Sequence, residues 1–181
     1  FMIMPFSSNF TVHNLGISPE NLPMIYLVTG LASIFIGPLI GKVSDTVGNF
    51  KVFAVGSLLS MIMVVYYTNM GPSSLWAVML VNVLMFVSIF SRMIPSQTMT
   101  SAIPDPASRG SFMSVSSSLQ QIAGGFASVI AGLIVVQTPA GALEHFDTLG
   151  YVMVGTAAIS LFLMYRIHLM VLRKKAAGAK V

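Results

Sequence analysis

Few side chains in this 181-residue chain could do chemistry, and the most demanding of them is Arg92. It lies in an apolar run that continues past it through "MIPSQTMTSAI". A guanidinium at such a depth in a membrane is costly unless it faces protein or water. Facing inward, it would serve an anionic substrate, a coupling carboxylate or backbone carbonyls; if the run instead stops at Pro95, Arg92 is an anchor at the membrane interface. At about 100° per residue, Asn82, Arg92 and Ser96 fall within about a quarter turn of one another, so one polar stripe can contain all three. Gln120 and Gln121 are further candidates, because a lipid-facing amide is poorly satisfied and either could line a polar cavity. Enzyme chemistry finds no such constellation. His13, His145 and His168 fit no metal-ligand spacing, "AGG" is no phosphate loop, and the serines lack a triad context. With no Cys there is no thiolate metal site or disulfide framework. No cofactor is implied.

The elements that must carry these residues follow from composition. Charged residues make up 8% and hydrophobic residues 55% of the chain, with a mean hydropathy of +0.87, whereas soluble domains carry about a quarter charged residues. Uninterrupted apolar runs approach or exceed the length of a membrane-crossing helix. The chain reads as an all-α integral membrane protein with helices at about 1–15, 22–41, 50–70, 74–103, 110–137 and 147–171, and a basic tail at 172–181. Pro23 suits a first helical turn, and Ser108 or Ser111 can cap the fifth helix. The fourth and fifth runs exceed a straight crossing, so tilt or a kink at Pro95 is expected. Residues 1–15 reach only about 22 Å, short of a roughly 30 Å hydrocarbon core. The expectation is a chain that begins inside a helix and forms part of a longer protein.

Orientation follows from the loops. The side of "GKVSDTVGNFK" holds Lys42 and Lys51, joined by Arg109 and by Arg173, Lys174, Lys175 and Lys180 of the tail; the opposite loops carry Glu20, Glu144 and Asp147 and no Lys or Arg. Because short cytoplasmic loops accumulate Lys and Arg, the basic side is expected in the cytoplasm, the C-terminus with it. Tyr26, Tyr66, Tyr67, Trp76 and Tyr151 fall near the opposite ends, as an aromatic belt requires. The net charge of +4 is therefore a matter of topology. A nucleic-acid partner would need the basic residues clustered on a soluble face.

Small residues mark contacts between spans. Ser116, Gln120, Gly124, Ser128 and Gly132 recur every four residues in the fifth run, and Gly37 to Gly41 encloses Pro38 in the second. Such residues let membrane helices approach closely, while Ser or Gln hydrogen-bonds across the contact.

Gly41-x-x-x-Asp45-x-x-Gly48-x-x-Lys51, between two apolar runs on the basic side, resembles the loop motif of the major facilitator superfamily, which joins helices 2 and 3 and recurs between helices 8 and 9. In that family the motif supplies a charge cluster that steadies one transport conformation and breaks in the other: the glycines would permit the tight turn, Asp45 would meet a helix N-terminus or a neighbouring Arg, and Lys51 would fix topology. The stretch from Ser91 to Val135 is similar to the family's fourth-to-fifth or tenth-to-eleventh helix region. Arg92 matches its intramembrane arginine, and Arg109-Gly110 its loop pair. Thr46 and Asn49 stand where the strongest motif copies are basic, and the fifth span lacks the antiporter Gly-Pro, departures that suit the more degenerate second half.

The resemblance implies helices 7 to 12 of a twelve-helix facilitator, pairing with an N-terminal six-helix half of the same protein and rocking about a central site near the membrane midplane. A small-molecule substrate would cross by alternating access, with bacterial sugar-efflux and multidrug-type facilitators as the nearest pattern and a bacterial inner membrane as the location. Since the family lines its cavity with helices 7 and 10, Asn9, Asn82 and Arg92 become the substrate contacts, with Gln120 and Gln121 on a supporting helix. If transport is coupled to protons, the titrating carboxylates are expected in the missing half. The competing reading is a non-transporting membrane scaffold or assembly subunit that uses its small-residue faces for partners.

Overall fold

A computed structural model describes residues 2–178, and of residues 174–178 the backbone only. Among the described residues, five helices are long and apolar enough to cross a membrane: α2 (Leu22–Val47), α3 (Asn49–Thr68), α4 (Leu75–Ser101), α5 (Arg109–Ile134) and α6 (Phe146–Gly178). Ahead of them the expected first span is a short helical stretch of three kinds, a 3-10 turn (Met4–Phe6), one α turn α1 (Ser7–Asn9) and a π turn (Phe10–Asn14). The π turn is closed by Leu15 N–H donating to Phe10 O at 3.1 Å, and Gly16 at φ +72° ends the stretch. A small hairpin, β1 (Val136–Gln137) with β2 (Leu143–Glu144), joins α5 to α6.

Several boundaries differ from expectation, for physical reasons. The second helix does not stop at Gly41 but runs on through Lys42 and Asp45 to Val47, because a single helical glycine costs only about 0.5–1 kcal/mol and the positive φ that breaks the helix comes at Gly48. The connection to α3 shrinks to Gly48, whose φ of +106° only glycine adopts readily. Pro23 does sit in the first turn of α2. Helix α4 continues past Pro95 to Ser101 without a break. Ser108 occupies the cap position of α5 but makes no capping bond; its hydroxyl donates to Asp105 O at 3.2 Å. The fifth helix ends at Ile134, where β1 takes up the chain.

Packing is uneven along the bundle axis. The buried apolar cluster gathers at the acidic end, where Phe10, Leu15, Ile25, Tyr67, Val78 and Leu149 meet. Phe10 stacks on Phe146 at 4.2 Å and tilts against Tyr67 at 5.2 Å. Tyr67 is therefore a core residue and not part of the aromatic belt; its hydroxyl lies 3.3 Å from Thr11 Oγ1 and 3.4 Å from Ser7 Oγ. Tyr26, Tyr66, Trp76 and Tyr151 remain exposed, as belt residues are. Helices α3 and α4 pack along their length, with α2 against α4 and α6 against α3. In contrast, residues 109–123 of α5 include no buried side chain.

Candidate functional site

Arg92 is carried inside one continuous apolar helix. Helix α4 is about 40 Å long at 1.5 Å per residue, and Arg92 lies about 26 Å along it from Leu75. The helix continues past it to Ser101, so Arg92 does not stand in a loop. Its guanidinium turns toward α3. There Nη1 donates to Ser60 Oγ at 3.3 Å, and Cζ stands 5.9 Å from the centre of the Phe53 ring, within cation–π reach. Its Nε is buried without a partner.

The surface that receives Arg92 is a seam of small polar residues. Ser57, Ser60, Ser88 and Ser91 are all buried. Ser88 donates back to Met85 O at 2.7 Å, whereas Ser57 Oγ is buried with no partner. Gly56 lets the helices touch: a Cβ built on it would lie 2.5 Å from Ser91 Cβ and 2.9 Å from the Ser91 carbonyl carbon. The spacing on the two helices is the same. Phe53, Gly56, Ser57 and Ser60 match Ser88, Ser91, Arg92 and Pro95 at i, i+3, i+4 and i+7, one face of each helix. Sequence reasoning missed the four serines, although this paired spacing was there to find them.

The other candidates do not converge on Arg92. Asn82 is half-buried, and its amide donates to Val78 O on its own helix at 2.9 Å. Asn9 is half-buried in α1. Gln120 and Gln121 are both exposed, with Ser114 and Ser118 of the same stretch bonded only to their own helix. Along the expected packing stripe of α5, Gly124 is buried and Ser116 and Ser128 are half-buried, but Gln120 and Gly132 are exposed. A four-residue step overshoots one turn by about 40°, so five positions at that spacing drift off a single face. The face that packs is instead Gly124, Ala127, Ala131 and Val135. Gly37 and Gly132 face open space.

At the basic end the motif residues separate. Gly41 and Asp45 lie within α2, Gly48 makes the turn, and Lys51 lies in the first turn of α3. Asp45 and Lys51 are exposed. What ties the turn is Ser44, buried and donating to Asn49 Oδ1 at 2.6 Å. Arg109 begins α5, and both it and Gly110 are exposed. Of the basic tail, Arg173 is exposed; the side chains of Lys174 and Lys175, and Lys180 altogether, lie outside the described residues.

At the opposite end a second set of polar contacts, also missed from sequence, closes the chain on itself. Asn14 donates through Nδ2 to Leu143 O and accepts at Oδ1 from Leu143 N–H, both at 2.9 Å. The side-chain amide thus pairs with β2 as a third strand would. Gly141 passes beside His13 so closely that its Cβ would lie 2.6 Å from the imidazole Cε1.

Among the described residues no cluster of three or more His, Asp or Glu could hold a metal. The arrangement is one of apolar helices with a polar seam between α3 and α4.

A family model for the Major Facilitator Superfamily matches residues 1–180. The chain belongs to the major facilitator superfamily. No curated protein and no solved structure matched it. Membership in a family of transporters accounts for the five apolar helices among the described residues and marks this facilitator as an integral membrane protein.

Proposed function

We propose that this facilitator chain is the C-terminal half of a secondary active transporter that moves a small solute by alternating access. In this reading the full protein has twelve helices, the N-terminal six supplied by the rest of the same polypeptide. The stretch from Met4 to Asn14 belongs to helix 7, and α2 to α6 are helices 8 to 12. The basic end, with the C-terminus, faces the cytoplasm of a bacterial inner membrane. Efflux is the favoured direction, and proton coupling, if present, uses carboxylates of the other half.

The observation that carries the reading is Arg92: a cation inside a continuous apolar helix, given one hydrogen bond and one ring by α3 and left with a buried, unpartnered Nε. A fixed guanidinium with unused donors inside an apolar helix is a place where an anion or a dipole from the other half, or from substrate, is stabilised in one conformation. The uneven packing supports the same picture. The acidic end is knitted around Phe10, Tyr67 and Phe146, while the basic half of α5 exposes Gln120 and Gln121. A polar helix half in a membrane must face protein or water, which the N-terminal half of the transporter and the cavity between the halves provide.

The test is flux in proteoliposomes containing the full-length protein, wild type beside Arg92→Ala and Arg92→Lys, each checked for folding by size-exclusion profile and thermal stability. Flux in wild type that is lost in a well-folded Arg92→Ala variant supports the pathway role. Equal flux in both makes Arg92 a seam residue only, and no flux for any solute in wild type favours the scaffold.

A further inference from the structure

Near its basic end α6 presents a face that mixes arginine with apolar side chains. Phe162, Arg166, Met170 and Arg173 help line one concavity of about 390 Å³. Arg166 and Arg173 are two turns apart, about 10 Å along the axis, and so project on one side. Both are exposed. Alongside, and sharing Phe162, an apolar groove of about 520 Å³ runs between α3 and α6. Its walls include Phe50, Ala54, Leu58 and Met61 on α3, with Ala158 and Tyr165 on α6. Phe50 is braced at the mouth, 4.8 Å from the His168 ring and nearly parallel to it, and 5.6 Å from Tyr165.

Length and charge together select the occupant. From Phe50 to Met61 is about 16 Å along the helix, close to half of a roughly 30 Å hydrocarbon core, which is the depth of one leaflet. Arg166 lies about 30 Å from Phe146 at the start of α6, and so at the far edge of the core where headgroups begin. The alanines at 54 and 158 leave width for a hydrocarbon chain between the helices. A planar guanidinium meets a phosphate through two parallel hydrogen bonds. We propose that this face is a binding site for an anionic glycerophospholipid of the leaflet at the basic end, with an acyl chain in the α3/α6 groove and the phosphate held by Arg166 and Arg173.

The experiment uses the full-length protein purified in detergent, loaded with equal amounts of phosphatidylglycerol and phosphatidylcholine of matched chain length and weighed intact by native mass spectrometry. The expected result is preferential retention of phosphatidylglycerol by wild type, falling about fivefold for each arginine removed in Arg166→Gln and Arg173→Gln. The lysines of the tail stay in place throughout. Replacement of both by Lys, which keeps the charge, is expected to retain most of the preference. Ala54→Trp, which fills the groove, is expected to lower retention of both lipids. Equal retention of the two lipids by wild type, or a preference that survives the double Gln variant, overturns the headgroup assignment; full retention in a folded Ala54→Trp variant overturns the groove.

Discussion

Gly56 of α3 and Ser91 of α4 meet so closely that a single added carbon at position 56 would fall 2.5 Å from Ser91 Cβ and 3.0 Å from its carbonyl oxygen. The Ser91 carbonyl carbon and oxygen are backbone atoms, so no rotamer change relieves the overlap. Gly56→Ala is expected to cost about 1–3 kcal/mol as α3 and α4 are pushed apart, and Gly56→Leu more. Thermal denaturation of purified variants in detergent measures this, and a Gly56→Ala protein as stable as wild type would disprove the contact.

The turn at the basic end separates two glycines that look alike in the motif. Gly48 holds φ +106°, where a side chain costs about 1–3 kcal/mol. Gly41 lies within α2 with nothing within 4 Å of its would-be Cβ, where Ala is favoured over Gly by about 0.5–1 kcal/mol. The same Ala substitution should therefore destabilise at 48 and be neutral or stabilising at 41, as read from melting temperatures. Equal losses at both positions would restore a loop role for Gly41.

How much of this was legible in the sequence depends on which signal each feature used. The apolar helices follow from hydropathy because lipid admits few alternatives to a helix. Their ends were harder to read: Gly41 and Pro95 look like breakers, yet both lie inside helices that continue past them. Spacing in α5 pointed to a stripe that drifts off its face, whereas the closer repeat of Phe53, Gly56, Ser57 and Ser60 marked a seam and passed as ordinary sequence. Arg92 stood out at once, being charged in an apolar run. Its partner did not, because Ser60 contributes nothing to charge or hydropathy, and pairing between helices is a tertiary fact. Asn14 and Leu143 are farther apart still, joined only after α5 and the hairpin are in place.

Asn14 uses both ends of its amide on one residue of β2, so shape and polarity are both required. Asn14→Asp keeps the shape but sets a carboxylate oxygen against Leu143 O. It is expected to cost as much as or more than Asn14→Ala, with losses of about 1–3 kcal/mol for the unsatisfied group. Amide hydrogen exchange at Leu143 is the direct measurement: exchange should quicken in both variants, and protection equal to wild type would remove the clamp.

The seam gives the sharpest pair, because two serines one turn apart on α3 are predicted to respond with opposite sign. Ser60 Oγ accepts from Arg92, and losing it strips the guanidinium of its one observed side-chain acceptor. Hydrogen bonds to charged groups contribute about 1.5–3 kcal/mol, and at 3.3 Å the lower part of that range applies. Ser57 Oγ is fully buried and unpartnered, so Ser57→Ala removes a desolvated hydroxyl at almost no loss of packing and should be neutral or stabilising. Thermal melts of Ser57→Ala, Ser60→Ala and Arg92→Ala, with the Ser60/Arg92 double variant, complete the comparison. The double variant should cost less than the sum of its parts, since each single change already breaks the same bond. If Ser57→Ala destabilises as much as Ser60→Ala, the Ser57 hydroxyl has a partner in the membrane; if Ser60 and Arg92 simply add, the bond between α3 and α4 carries no energy, and the place of Arg92 in an apolar helix needs an explanation other than Ser60.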